Sequence, residues 1–118
     1  MKQTRRIPLA ALALAVAVPT TALAVPMLYE EQVARQEEGR IIRSPIGGIQ
    51  NSRWFDYRTN VNETRKELAS DLRHSSDIED RRDAWEEYGT ELRHERRTYV
   101  KAMAKKGYRA PRVYVGDM

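Results

Sequence analysis

The sequence predicts an all-α protein, an antiparallel two-helix hairpin behind a cleaved export signal. Three observations carry this. Residues 1–24 have the layout of a signal peptide. Two later stretches, 51–74 and 77–106, repeat apolar residues at three- and four-residue spacing. A short polar break separates those stretches, too short to let two helices run in the same direction. The expected division is 1–24 signal, 25–50 short helix and Gly/Pro linker, 51–107 hairpin and 108–118 tail.

In the signal, Lys2, Arg5 and Arg6 form a positive head, and Ile7 to Val18 is apolar apart from Pro8. Ala22-Leu23-Ala24 supplies the small-x-small pattern of a cleavage site, so cleavage is expected after Ala24. The rival reading is an uncleaved inner-membrane anchor over 7–28. That stretch holds Pro8, Pro19 and Pro26, and its strictly apolar part, about a dozen residues, suits a signal better than a spanning helix. A periplasmic or secreted location follows. The chain has no cysteine, which excludes a lipid-modified cysteine, disulfides and thiolate metal sites.

The element predicted first after the signal is a helix over 27–38, opened by Pro26 and the acids Glu30 and Glu31 and closed by Gly39. Ser44-Pro45-Ile46-Gly47-Gly48 is turn material. Trp54, Tyr57, Val61, Leu68 and Leu72 then form the seam of the first long helix, capped by Asn51 or Ser52. Ser76 and Glu79 match a capping box for the second, whose seam is Ile78, Trp85, Tyr88, Leu92, Tyr99 and Met103. Gly107 stops it, with Lys105 and Lys106 in its last turn. The β-branched segments 40–43 and 112–115 are candidates for a minor two-stranded pairing at the open end; an unstructured tail is the alternative.

Offset by 31 residues, Trp54 matches Trp85, Tyr57 matches Tyr88, Thr59 matches Thr90, Val61 matches Leu92, Arg65 matches Arg96 and Leu72 matches Met103. The antiparallel arrangement would put the two Trp/Tyr pairs in opposite halves of one seam. Two such helices alone bury too little apolar surface to offset the entropy of ordering them. Either Leu28, Ile41, Ile42, Ile46, Ile49 and Tyr114 fold back over the seam, or two chains associate.

Charge and motifs narrow the functional classes. The full chain has 21 basic and 17 acidic residues, but three of the bases lie in the signal, so a uniformly basic nucleic-acid binder is disfavoured. Residues 76–95 hold eight acids and three bases, whereas 96–118 hold seven bases and one acid. The run Arg96, Arg97, Lys101, Lys105, Lys106, Arg109 and Arg112, with Tyr99 and Tyr108 interleaved, could bind anionic lipid or polysaccharide. The plainer reading is a solvated helix end paired with acids such as Asp56 and Glu63. His74 and His94 are too far apart on a hairpin to share a metal. Asp77, Glu79, Asp80 and Asp83 read as charge at a helix start, because no calcium-loop pattern surrounds them. No nucleophile elbow and no phosphate loop appears, so no catalytic residue, cofactor or metal is expected.

In size, signal and hairpin architecture the chain resembles the periplasmic stress chaperones of Gram-negative bacteria. It lacks their L-T-x-x-Q repeat, and the resemblance assigns no family. The sequence points to a small exported non-enzymatic protein acting through contact with a protein partner or a second copy. The alternative is a binder of envelope or membrane-surface polyanions through the basic end of the second long helix. Candidate interaction residues are Trp54, Tyr57, Trp85, Tyr88, Tyr99, Arg97, Lys101, Lys105, Lys106 and Arg109.

Overall fold

A narrow apolar stripe on each helix has to be covered, and the chain covers it with its own flanks. The computed structural model describes residues 26–116; the signal, its cleavage point and residues 7–25 of the alternative anchor lie outside them. Helix α1 spans Tyr29–Glu38, α2 spans Ser52–His74 and α3 spans Ile78–Lys105, with single 3-10 turns at Ile46–Gly48 and Arg112–Tyr114. The described residues are all-helical, and the short helix expected over 27–38 packs as a third helix rather than as a flank of a two-helix hairpin. Both α1 and α2 pack on α3, which is the spine of the fold.

Helix α1 starts two residues later than expected. Leu28 precedes it without a side-chain cap, and Glu30 and Glu31 occupy the first turn. Arg35 ties its surface together through Glu31 at 3.5 Å and Glu38 at 2.7 Å. Its inner face is small. Ala34 is wholly buried, and a Cβ built on Gly89 of α3 would lie 3.2 Å from the Ala34 Cα. The two backbones therefore touch at this crossing.

The linker 39–50 lies over the junction of α2 and α3, with Ile42 and Ile46 buried in the core. Two tyrosine hydroxyls hold it: Tyr57 accepts the Ile42 N–H and Tyr99 accepts the Ile46 N–H, both at 2.9 Å. Gly47 and Gly48 take φ of 65° and 71°, the left-handed region that other residues rarely enter.

Asn51 caps α2, accepting the Trp54 N–H at 3.1 Å. Trp54, Tyr57, Val61 and Thr64 are its buried residues, and Leu68 and Leu72 are partly covered. Asn51 meets Met103, Trp54 meets Tyr99, and Asn60 donates to Glu95 at 3.0 Å. These pairings run in opposite directions along α2 and α3, as the three-residue connection requires.

The cap of α3 is shifted by one residue from the expected box. Asp77 accepts the Asp80 N–H at 2.8 Å, and the Asp80 carboxylate takes the Ser76 backbone N–H and hydroxyl. Ser76 and Glu79 are thus not the capping pair. The buried face runs from Ala84 through Trp85, Tyr88, Gly89, Leu92, Arg96, Tyr99 and Val100 to Met103. It is wider than one seam because two helices cover it. Ile78, expected on the seam, is 61% exposed: it sits in the first helical turn, before the buried face begins at Ala84. Gly107 ends the helix as expected. Its N–H donates to the Ala104 carbonyl and that of Tyr108 to the Met103 carbonyl, with Gly107 at φ 89°.

The two-stranded pairing does not form; no strand occurs among the described residues. Residues 112–114 make a 3-10 turn started by Pro111. The groups a ribbon would pair are engaged elsewhere, the Ile42 N–H by Tyr57 and the Tyr114 carbonyl by Arg96. The flanks do fold back: Leu28, Ile41, Ile49, Tyr114 and Val115 pack on the core.

Replacing Gly89 by Val should lift α1 off α3, because backbone cannot move aside as a flexible side chain can. Overpacking of this kind costs about 1–3 kcal/mol. Thermal denaturation should show a lowered midpoint, together with a red-shifted Trp85 emission. An unchanged midpoint would refute the close crossing.

Candidate anion-binding surfaces

The five aromatic candidates are core residues of a single chain. Trp54, Tyr57, Trp85, Tyr88 and Tyr99 are each at most 4% exposed. They form two groups, as the internal match implies. In the first, Tyr57 and Tyr99 stack at 4.9 Å between centroids, and Trp54 lies 6.1 Å and 5.8 Å from them. Burial raises the pKa of both tyrosines, and their hydroxyls are committed to the linker backbone. In the second, Trp85 meets Tyr88 edge-on at 6.0 Å, and the Arg35 guanidinium lies 4.7 Å from the Trp85 ring. Tyr88 donates its O–H to Glu38 at 2.9 Å. Burial first, and the adjoining Glu38 carboxylate second, push the Tyr88 hydroxyl up to about 12.

The basic run divides. Arg96 is 1% exposed and belongs to the interior. It donates to Glu37 at 3.2 Å and to the Tyr114 carbonyl, while Arg93 donates to the same Glu37 carboxylate at 3.1 Å. Glu37, itself buried, also faces Arg40 at 3.7 Å. Reading the run as one charged surface missed this. The signal was available: position 96 lies four after Leu92 and three before Tyr99, on the apolar stripe itself.

Lys101, Lys105, Lys106 and Arg109 are exposed, and Arg97 is half-buried. Among the described residues those four exposed cations make no ion pair, so the pairing with Asp56 and Glu63 that the sequence left open is not formed. They occupy the last turns of α3 and the segment beyond it. The opposite end of α3 is acidic. Asp71, Asp80, Asp83 and Glu87 line a shallow recess of about 330 Å3 with His74. The His74 Nδ1 lies 2.7 Å from the Ser70 carbonyl. Among the described residues, no group of three or more His, Asp or Glu is placed to hold a metal ion, and no helix is long and apolar enough to cross a membrane.

Two measurements test this division between interior and surface. Removing one partner of a buried ion pair strands the other charge at a cost of about 3–5 kcal/mol. Glu37→Leu should therefore destabilise strongly in urea unfolding, and adding Arg96→Met should recover at least half of the loss. A double variant no better than the single would refute the pairing. The second measurement is alkaline. A raised Tyr88 pKa means its contribution to stability is complete below about 10, the ordinary tyrosine value, and is lost as pH rises through about 12. Stability should fall across that window as tyrosinate absorbance appears. Tyr88→Phe should flatten the fall.

Compared with known protein families, curated proteins and solved structures, the chain matches none.

Proposed function

We propose that the protein is an exported, non-enzymatic binding protein that settles on anionic lipid headgroups of a membrane surface through the basic end of α3. The observation that carries this is the set of exposed cations Lys101, Lys105, Lys106 and Arg109, none of which makes an ion pair among the described residues. Their placement adds direction. A helix of 28 residues is about 42 Å long, and the acids Asp77, Glu79, Asp80 and Asp83 stand at its far end. A negative surface would attract one end and repel the other, so the helix should meet the membrane end-on. Charge near an anionic surface contributes about 1 kcal/mol per Lys or Arg and fades within a Debye length.

Contact with a protein partner or a second copy is the second reading. The seam that suggested it is covered within one chain, because α1 and the linker supply the apolar surface that a second chain would have brought. What supports it now is a different pair of residues, Met27 and Tyr29, 51% and 73% exposed at the entry to α1.

Co-sedimentation with phosphatidylglycerol vesicles, against phosphatidylcholine vesicles, decides between the two. Binding should fall steeply as salt is raised from about 50 mM to about 500 mM. The Lys105→Glu/Lys106→Glu variant should lose at least about tenfold in partition, by the per-charge figure above. Salt-insensitive binding, or an unaffected double variant, would overturn the membrane reading. A salt-insensitive dimer in sedimentation velocity, lost on Met27→Ser/Tyr29→Ser, would install the second.

A further inference from the structure

The interior arginines and those near α1 are engaged by carboxylates: Arg35 by Glu31 and Glu38, Arg82 by Glu30, and Arg93 and Arg96 by Glu37. Three others are arranged differently. Arg43 follows the buried Ile42 in the linker, and Arg58 and Arg65 project from α2. Seven residues separate the last two, two turns or about 10.5 Å along one helix face, with Asn62 between them. All three border one recess of about 340 Å3 between the linker and α2. Its remaining lining is Asn62 with Ile41, Ile42, Trp54, Tyr57 and Val61.

No carboxylate lines this recess. Among the described residues none of the three arginines makes an ion pair. Arg58 lies 5.6 Å over the Trp54 ring, a contact that holds its plane without consuming its charge. Arg65 lies near enough to the Tyr88 hydroxyl to oppose the rise of its pKa, and its guanidinium carries five N–H donors. Glu38, the acid on the other side of that hydroxyl, is already engaged by Arg35 and Tyr88. Three like charges therefore border one concavity that has no counter-charge in its lining.

We propose that this groove binds the phosphate group of a phosphate monoester, with the uncharged body of the ligand lying against the half-buried Ile41 at its edge. Guanidinium is the planar, five-donor fork that matches oxyanions two bonds at a time. Three forks and the Asn62 amide offer more donors than the two oxygens of a carboxylate can accept. A phosphate monoester offers three terminal oxygens and up to two charges. The residues are distinct from Lys101, Lys105, Lys106 and Arg109, so the groove does not depend on the membrane reading above.

The test follows amide and indole resonances during titration with glycerol phosphate, a soluble monoester. Saturable shifts are expected at the Trp54 Nε1–H, the Asn62 side-chain amide and the backbone of Arg43. Arg58→Gln/Arg65→Gln should weaken binding at least about tenfold with resonance dispersion intact, since both side chains are exposed. Lys105→Gln/Lys106→Gln should leave it within about twofold, because screening fades the field of distant surface charges. Vesicles of phosphatidic acid form a second arm. Binding there that is lost in the arginine variant, kept in the lysine variant and unmatched by glycerol phosphate would make the source a lipid headgroup. Saturation by glycerol phosphate would make it a free ester. No binding in either arm, equal loss in the lysine variant, or tighter binding of citrate would overturn the proposal.

Discussion

The buried Glu37 carboxylate is the point at which the fold is tied. It comes from the last turn of α1 and meets Arg93 and Arg96 of α3. Arg96 extends the tie to the Tyr114 carbonyl in the C-terminal turn. One cluster thus joins the two ends of the described chain to its spine. A buried pair of this kind adds little net stability over apolar residues of the same size, because both charges have been taken from water. What it fixes is which arrangement is adopted. Any other seating of α1 on α3 leaves a carboxylate or a guanidinium buried without its partner, at a cost of several kcal/mol.

The aromatic residues make the same kind of commitment with neutral groups. The Tyr57 and Tyr99 rings lie in the core, and their hydroxyls accept the two linker N–H groups that would otherwise be buried without a partner. The linker is therefore part of the core rather than a tether between helices, and Ile42 and Ile46 are delivered to the places a second chain would otherwise have filled. The close passage of Ala34 over Gly89 does the equivalent for α1, bringing backbone to backbone where a larger residue would hold the helices apart.

This internal closure sorts the residues available for binding. The stacked aromatics are inside and hold the chain together. The surface that remains is charged and segregated, with acids around the α2–α3 connection and cations at the far end of α3. The arginine-lined recess beside α2 is a third region, where three cations border one concavity between the linker and α2. The acids at the connection include the α3 cap residues Asp77 and Asp80, whereas the cations at the far end of α3 are exposed and make no ion pair among the described residues.

The sequence by itself determined the three helices, their ends to within about two residues and the stripes of α2 and α3. These follow from local chemistry: three/four spacing, Asn51 beside the orphan N–H groups of α2, and Gly107 where the backbone must turn left-handed; the cap of α3 falls on Asp77, one residue past the expected Ser76. The flanking apolar residues were also legible as a cover for the seam. Tertiary structure alone decided that α1 packs as a third helix, that Arg96 turns inward, that Ile78 faces water and that residues 112–115 form a turn. The physical reason is common to all four. Each depends on a partner more than ten residues away in the chain, Glu37 for Arg96 and the Arg96 guanidinium for Tyr114, or on the lack of one, for Ile78. Periodicity reports which face of a helix is apolar; it carries no information about which distant segment supplies the matching charge or carbonyl. The groove of Arg43, Arg58 and Arg65 was invisible for the same reason, since only the folded linker brings position 43 to the side of α2.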